Sequence, residues 1–449
     1  MLILIPLRPR TRVLVLATVV ATLLTACTTQ PEEAVPATPS TTSASVAPST
    51  PTETAPADGE PAGGAVDIAA ARVSIRPPRQ GSFRVQGNYP WGASRCVDAE
   101  RPTFDGRYPG TLSVRTADDG TLTATVTITF QEYLEGITEV PPTWPRAALE
   151  AQVIAARSYV LSRTGWAGQQ GGDLDTPICG TSECQVYGGI PQPRPAGMHR
   201  WYQAVRDTRG QVLLYGGRPA DTVYSSTSNG HTYGNDEVFG SAPLPYLRPV
   251  VERDDGASPL SRWHVEVPSR DLATVLRADG VWPVGAPITS VRVQGSTVRL
   301  IGGGETRTVD ASGVRDALNT WASCLLPQRY PTDGLPTTVP SGWFTLSSGP
   351  GGLEIDGRGW GHGVGMVQWG AYGKARAGWS ASRILAFYYG GLTPRRYPEP
   401  GTMHVVIATG LRSMTVKPSG PGATIGDRTL GTRPISIEGG DQVTASTGG

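Results

Sequence analysis

The acid set apart by its surroundings is Glu139, in the run Gly136-Ile137-Thr138-Glu139-Val140-Pro141-Pro142-Thr143-Trp144-Pro145. A carboxyl among Ile137, Val140, prolines and Trp144 is expected to lose part of its hydration, which penalises the charged form and raises the pKa. A group that still holds a proton near neutral pH suits general acid catalysis. The alternative is a solvated loop glutamate. Glu135 is the rival acid close by, and Glu150 is expected on a solvated helix face.

Other chemistries lack their residues. The chain has no His-Glu-x-x-His helix and no Gly-x-Ser-x-Gly elbow. Lys374 follows Gly373 without the Ser or Thr and upstream glycine of a phosphate loop. The run Gly357-Arg358-Gly359-Trp360-Gly361-His362-Gly363-Val364-Gly365 does not have dinucleotide-binding spacing, so no cofactor is expected. A formal net charge of +1 argues against nucleic acid as a partner. Beyond Cys27 four cysteines remain, Cys96, Cys179, Cys184 and Cys324, which in an exported chain suggests two disulfides. The favoured pairing is Cys179–Cys184 as a local loop and Cys96–Cys324 as a long-range staple. A metal at Cys179 and Cys184 is the alternative, but zinc wants three or four N or S ligands and no His stands close.

These residues need elements to hold them. Alternating short strands with turn punctuation are expected from Val66 to Ile137. A helix follows, with Thr143 as N-cap and Pro145 in its first turn; Leu149, Val153, Ala156 and Val160 give it one buried face, and Gly165 ends it. Mixed structure comes next: a helix around Trp201 to Asp207, a strand near Gln211 to Tyr215, and a polar loop from Ser225 to Thr232. Between about 263 and 325 strand, helix, three strands and helix suffice for a small inserted α+β subdomain. The alternating glycines, if extended, leave one strand face bare, so that something can lie close against the backbone. Helices from Gln368 to about Ala377 and from Ser382 to Tyr389 follow, and 396–449 is β-rich and, stopping at Gly449 without obvious closure, expected to be incomplete. The fold class is therefore α+β: a mixed catalytic domain over 66–395, its inserted subdomain, and a β-rich C-terminal segment.

Two blocks carry a resemblance. Tyr133-Leu134-x-Gly136-Ile137-x-Glu139-Val140-Pro141-x-x-Trp144-Pro145 runs into Ala148-Leu149-x-Ala151-Gln152-Val153-x-Ala155-Ala156-Arg157-Ser158-Tyr159. Downstream comes Gly357 to Gly365 followed by Met366-x-Gln368-Trp369-Gly370-Ala371, then Ile384-Leu385-x-x-Tyr388-Tyr389-x-Gly391. Together they resemble the hallmark blocks of the SpoIID/LytB family, and Cys184-Gln185-Val186-Tyr187, the 225–232 loop and Tyr246-Leu247 fit between them. The resemblance implies a peptidoglycan lytic transglycosylase, cutting between N-acetylmuramic acid and N-acetylglucosamine, with the family acid at Glu139. Such an enzyme can work with one carboxyl, whereas a glycoside hydrolase generally needs a second. Two departures are Val140, where the family usually has Met, and a stretch from Gly136 to Glu139 that looks about two residues shorter. The same resemblance implies the alternative of a non-catalytic glycan-binding protein that recruits or enhances a cell-wall amidase.

Around Glu139 the expected substrate contacts are Arg157, Tyr187, Ser226, His231, Arg358, His362 and Gln368. Arg157 would hold the muramyl lactate carboxylate, or else pair with an acid at the helix surface. His362 and Gln368 would bond sugar hydroxyls, or else tie the glycine segment to the core; Trp360, Trp369 and Tyr372 would stack on sugars, or else pack inside. Ser226, Asn229 and His231 are expected on a loop over the cleft.

The first residues carry Arg8, Arg10 and Arg12 and then an apolar run to Leu24, too short to span a membrane and of the length of a secretory signal. The run ends Leu24-Thr25-Ala26-Cys27, which resembles a bacterial lipoprotein box, so 1–27 is expected to be a signal peptide and Cys27 the lipid attachment site. An ordinary cleaved signal with an incidental Cys is the alternative. Residues 28–65, rich in Pro, Thr, Ser and Ala, are expected to form a disordered tether. The expected location is the outer face of the cytoplasmic membrane, facing the cell wall.

Overall fold

The computed structural model describes residues 66–78, 81–88, 103–137, 139–191, 194–330 and 338–447. The signal, Cys27, the tether and Cys96, and with it the pairing of Cys96 to Cys324, lie outside the described residues.

Strand Leu122–Thr129 is an inner strand of a seven-stranded sheet. It alternates buried Val126 and Ile128 with more exposed neighbours, the period-two signature of a sheet with one covered face. On one side it pairs with Thr111–Thr116, on the other with the long strand Thr402–Leu411, which lies parallel to Leu174–Cys179. A six-stranded sheet joins Asp67–Ala70, Phe83–Asn88 and Thr103–Tyr108 to Ser413–Pro418, Ile435–Glu438 and Val443–Thr447. The strands after residue 396 are thus no separate module. Ser413–Pro418 pairs residue for residue with Phe83–Asn88, and both sheets need strands from the two ends of the domain. Local patterning cannot report a pairing more than 300 residues apart.

Helices cover the sheet. α1 (Phe130–Glu135) starts at a capping box in which the Thr129 hydroxyl accepts the Glu132 N–H and the Glu132 carboxylate accepts the Thr129 N–H. α2 (Arg146–Arg163) is buried from Ala151 to Leu161 and is the axle of the domain. Its N-cap is Pro145 and not Thr143, because the Pro141-Pro142 pair and a turn delay the first helical residue. Gly165, at φ 70°, follows its end. α3 (Met198–Asp207) packs against it, and the short α4 (Asn235–Phe239) comes later in the chain. A second core, gathered on Leu272, Leu276, Leu300, Leu318 and Ile355, holds α5 (Ser269–Ala278), α6 (Ala311–Leu325) and two three-stranded sheets. It reaches beyond 263–325, because the hairpin Phe344–Gly349/Gly352–Gly357 pairs with Trp263–Pro268. The chain then returns to the main core as α7 (Gln368–Arg376) and α8 (Ala381–Tyr388).

The glycine run is not extended. Gly359, Gly361, Gly363 and Gly365 all have φ between 69° and 99°, a region that favours glycine. A Cβ on Gly365 would also stand 2.0 Å from the Val223 carbonyl oxygen. Close approach was the right expectation and a flat strand the wrong means. The run winds so that Tyr224–Ser225 can pair in parallel with Met366–Val367.

Candidate active site

Three segments far apart in sequence meet at Glu139. The first is the turn between α1 and α2, fixed by burial of Ile137, Val140 and Trp144. Trp144 packs on Trp369 and Tyr372, with ring centroids 4.9 and 5.1 Å apart. The second is the loop after Leu174–Cys179, closed by a disulfide from Cys179 to Cys184 with the Cα atoms 5.6 Å apart. It leaves the disulfide against Gly136, where the Gly188 N–H donates to the Gly136 carbonyl at 2.9 Å. A side chain at Gly136 would collide with the Tyr187 ring. The third is the short strand Tyr224–Ser225 with Gln368 beside it at the start of α7.

Among the described residues, each hydrogen-bond partner of Glu139 is a neutral donor. The Val186 N–H donates to Oε1 at 2.9 Å; Oε2 accepts the Tyr224 hydroxyl and, at 3.4 Å, the Gln152 amide. Each donor is itself held. Gln185 donates to the Tyr224 oxygen at 2.9 Å and accepts the Tyr133 hydroxyl at 2.6 Å, while Gln368 donates to Gln152 Oε1 at 3.4 Å. Burial pushes the Glu139 pKa up from 4.5 to about 7, against the opposing pull of the Tyr224 and Val186 hydrogen bonds. The phenols of Tyr224 and Tyr133 are pushed well above their ordinary value, chiefly by burial and next by the Glu139 charge, so both remain donors.

Glu139 lies in an open cleft of about 990 Å³. Its walls include Tyr159, Phe239, Trp360 and His362, with an ion pair of Arg163 and Asp221 at 2.9 Å. His362 Nδ1 accepts the Val364 N–H at 3.1 Å, and burial pushes its pKa down to about 4, so the imidazole is neutral and its proton sits on Nε2. Phe239 and Val186 are exposed apolar side chains at this cleft.

Of the residues expected here, Ser226, His362 and Gln368 line the cleft with Glu139, and so does Trp360. Four lie elsewhere. Arg157 is buried at 1% exposure with Nε 2.6 Å from Glu399, and it donates to Thr208 and to the carbonyls of Val205 and Gln211. The guanidinium ties α2 to α3 and to the residues before Thr402, and Arg157 does not line the cleft. Tyr187 is buried and stacks on Tyr133 with centroids 5.5 Å apart, beneath the cleft floor. His231 packs on Tyr233 and bridges to Val251, while Arg358 lines a separate recess. Trp369 and Tyr372 pack against Trp144. The rival acids are accounted for too: Glu135 accepts the Gln131 amide at 2.8 Å, and Glu150 pairs with Arg146 at 2.6 Å. Gln152, Gln185 and Tyr224 had no assigned role. The available signal was a glutamine on the buried face of an otherwise apolar, Ala-rich helix.

The α+β domain thus holds a carboxyl of raised pKa, Glu139, in an open cleft that Glu183 and Asp221 also line. Residues 118–215, which include Glu139, Gln152 and Gln185, match the family described as SpoIID, Stage II sporulation protein. That match marks a SpoIID domain within the chain, and the relatives the chain resembles include an amidase enhancer and stage II sporulation protein D. The chain is 28% identical over 296 residues to the amidase enhancer of Bacillus subtilis, covering 58% of this chain and 39% of that protein. To an uncharacterised protein of Brachyspira hyodysenteriae it is 30% identical over 269 residues, covering 59% of this chain and 66% of the other. To stage II sporulation protein D of Bacillus subtilis it is 26% identical over 279 residues, 59% of this chain and 74% of the other. The chain therefore spans less than two thirds of the length of the first two.

Proposed function

We propose that this protein is a peptidoglycan lytic transglycosylase in which Glu139 is both acid and base. The observation that carries the reading is a carboxyl with a pKa of about 7 whose hydrogen-bond partners among the described residues are all neutral donors, in a cleft open to a polymer. Glu183 and Asp221 also line that cleft, and Asp221 is paired with Arg163 at 2.9 Å. At neutral pH a large fraction of molecules hold the proton. Oε2 accepts from Tyr224 and Gln152, so the exchangeable proton belongs on Oε1. It passes to the glycosidic oxygen as the bond from C1 of N-acetylmuramic acid breaks, and the N-acetylglucosamine chain leaves. The carboxylate then takes the proton of the same sugar's 6-hydroxyl, whose oxygen bonds C1. The product is a 1,6-anhydro end, Glu139 regains its proton, and no water is consumed. This route uses one carboxyl, as the cleft provides at Glu139.

The enzyme would work outside the cytoplasmic membrane on the cell wall, lipid-anchored through Cys27 with residues 28–65 as its tether. A second reading has an observation of its own, the relative named amidase enhancer. In it the cleft binds glycan strands and recruits a cell-wall amidase without cutting. Digestion of purified glycan strands by the full chain, with Glu139→Gln in parallel and products read by mass spectrometry, separates the two. Anhydro-muramyl products from wild type, reduced about a hundredfold or more in the variant, are expected for loss of an acid–base group. Uncut strands that co-sediment equally with both proteins would leave only the binding reading.

A further inference from the structure

A second recess lies on the far side of the glycine segment. It has a volume of about 270 Å³ and is walled by Arg262, Arg358, Trp263, Trp343, Phe344 and Asn229, among others. Arg262 and Arg358 are both exposed, and neither guanidinium makes an ion pair or side-chain hydrogen bond among the described residues. Asp356, also at the wall, is taken by His264 at 2.9 Å on the adjoining strand. The recess therefore offers two uncommitted guanidinium groups beside one carboxylate that already has a partner.

Its aromatic wall is fixed in place. The Trp263 indole N–H donates to the Gly359 carbonyl at 2.9 Å, and the ring lies so close over Gly357 that a Cβ there would meet it at 2.1 Å. Trp343 stacks on Tyr233 at 5.2 Å with 9° between planes. Asn229 donates to the Tyr233 hydroxyl at 2.8 Å, while its Oδ1 is shielded from solvent and has no donor in the protein. Rigid aromatic faces, guanidinium donors and a spare amide acceptor match a sugar that carries a carboxylate and an N–H or hydroxyl.

The recess and the cleft share two strands of chain. Ser226 and Trp360 line the cleft, Asn229 and Arg358 the recess, and the segments are bonded through Thr227 and Trp360 at 2.9 and 3.1 Å. Three residues reach at most about 10 Å. The recess and the cleft are thus walled by neighbouring residues of the same two segments.

We propose that the recess is a remote subsite for the lactyl carboxylate of an N-acetylmuramyl residue, held between Arg262 and Arg358 with the sugar against Trp263. The proposal rests on the cleft being a glycan site. It makes the free carboxylate, present only where the stem peptide has been removed, the feature that this end of the site reads.

The test is binding, measured in full-length Glu139→Gln so that cutting does not interfere. Peptide-free glycan strands, the same strands with their lactyl carboxylates reduced to alcohols, and uncharged chitin oligosaccharides are titrated against Glu139→Gln alone and against Glu139→Gln with Arg262→Ala and Arg358→Ala. Both arginines are exposed, and matching melting temperatures check that the fold is kept. Expected is an affinity for peptide-free strands lowered about tenfold by the arginine changes, the size of a lost hydrogen bond to a charged group. That loss should shrink at high salt, and reduced strands and chitin oligosaccharides should bind both proteins alike. An unchanged affinity for peptide-free strands, or an equal loss for all three ligands, overturns the subsite. Failure of the wild type to cut strands would instead defeat the transglycosylase reading and leave this binding result standing.

Discussion

Two glutamates of this domain sit inside and are bonded in nearly the same way, yet they are set up for opposite ends. Glu252 accepts the N–H groups of Arg253 and Asp254 at 2.9 and 2.7 Å, together with the Tyr388 hydroxyl. Glu139 accepts one backbone N–H and the Tyr224 hydroxyl. What differs is the remaining neighbour. Lys374 lies between both oxygens of Glu252, at 2.8 and 2.9 Å, and also reaches Asp254 at 2.8 Å. Glu139 has the Gln152 amide in that position. Burial with a cation makes a clamp that ties α7 to the 252–254 turn. Burial with neutral donors only raises the pKa and leaves a proton to give. The presence of a balancing charge, more than depth or number of hydrogen bonds, separates the clamped acid from the one with a raised pKa.

The largest way to break the comparison is to take the cation from the clamp. Lys374→Met leaves Glu252 buried without its partner and should destabilise the domain by about 3–5 kcal/mol, read by thermal or urea unfolding. Adding Glu252→Gln should recover part of that loss. A melting temperature unchanged in Lys374→Met would mean that the clamp does not hold the fold.

Removing the charge at Glu139 should act in the other direction. A raised carboxyl pKa means that the folded state pays for ionisation above pH 4.5, increasingly until about pH 7 and constantly beyond. Glu139→Gln escapes that penalty. The stability of the variant relative to wild type should therefore rise between pH 5 and 8, by up to the order of 3 kcal/mol. Unfolding curves at both pH values measure it, and a difference independent of pH would show that Glu139 titrates normally.

The two glutamates also show what the sequence could and could not tell. Glu139 stood out because its neighbours in the chain, Ile137, Val140 and Trp144, are the groups that bury it. Gln368, His362 and Ser226 were legible as partners because they fall in the family blocks. The charge balance was not legible. Gln152 and Tyr224 reach Glu139 across 13 and 85 positions, and Lys374 reaches Glu252 across 122; such pairings follow from topology, not spacing. Two partners were open from the sequence, a substrate carboxylate or an acid of the protein, and spacing could not choose between them for Arg157. Its actual carboxylate is Glu399, brought to the opposite side of α2 by the residues leading into Thr402–Leu411. The helices and the strand–helix order of the second core were readable from local periodicity. The sheets were not, since they join the two ends of the domain.

A sharper intervention gives Glu139 the neighbour that Glu252 has. In Gln152→Lys an ammonium would stand beside Oε2, and an opposite charge at that range lowers a carboxyl pKa by about 1–3 units. The alkaline limb of the pH–rate profile, expected near pH 7 in wild type, should move acid by at least about one unit, and the rate at pH 7 should fall about tenfold. A limb left in place would mean that another group supplies the proton.

The smallest expected effect is the most specific. Tyr224→Phe keeps the ring and removes only the hydroxyl that bonds Oε2. That bond favours the charged carboxylate, so its loss should raise the pKa above about 7 and carry the alkaline limb to higher pH, opposite to Gln152→Lys. Gln185 would keep only the Ala156 carbonyl as acceptor for its amide, at 3.2 Å, and Oε2 would be held by the longer contact to Gln152 at 3.4 Å. The carboxyl would be easier to protonate and less well aimed. The maximal rate should then fall a few-fold, the scale of one net hydrogen bond of about 1 kcal/mol, even as the active pH range widens. A merely structural Tyr224 would lower the rate without moving the limb, so the direction of the pH shift decides whether this hydroxyl tunes Glu139.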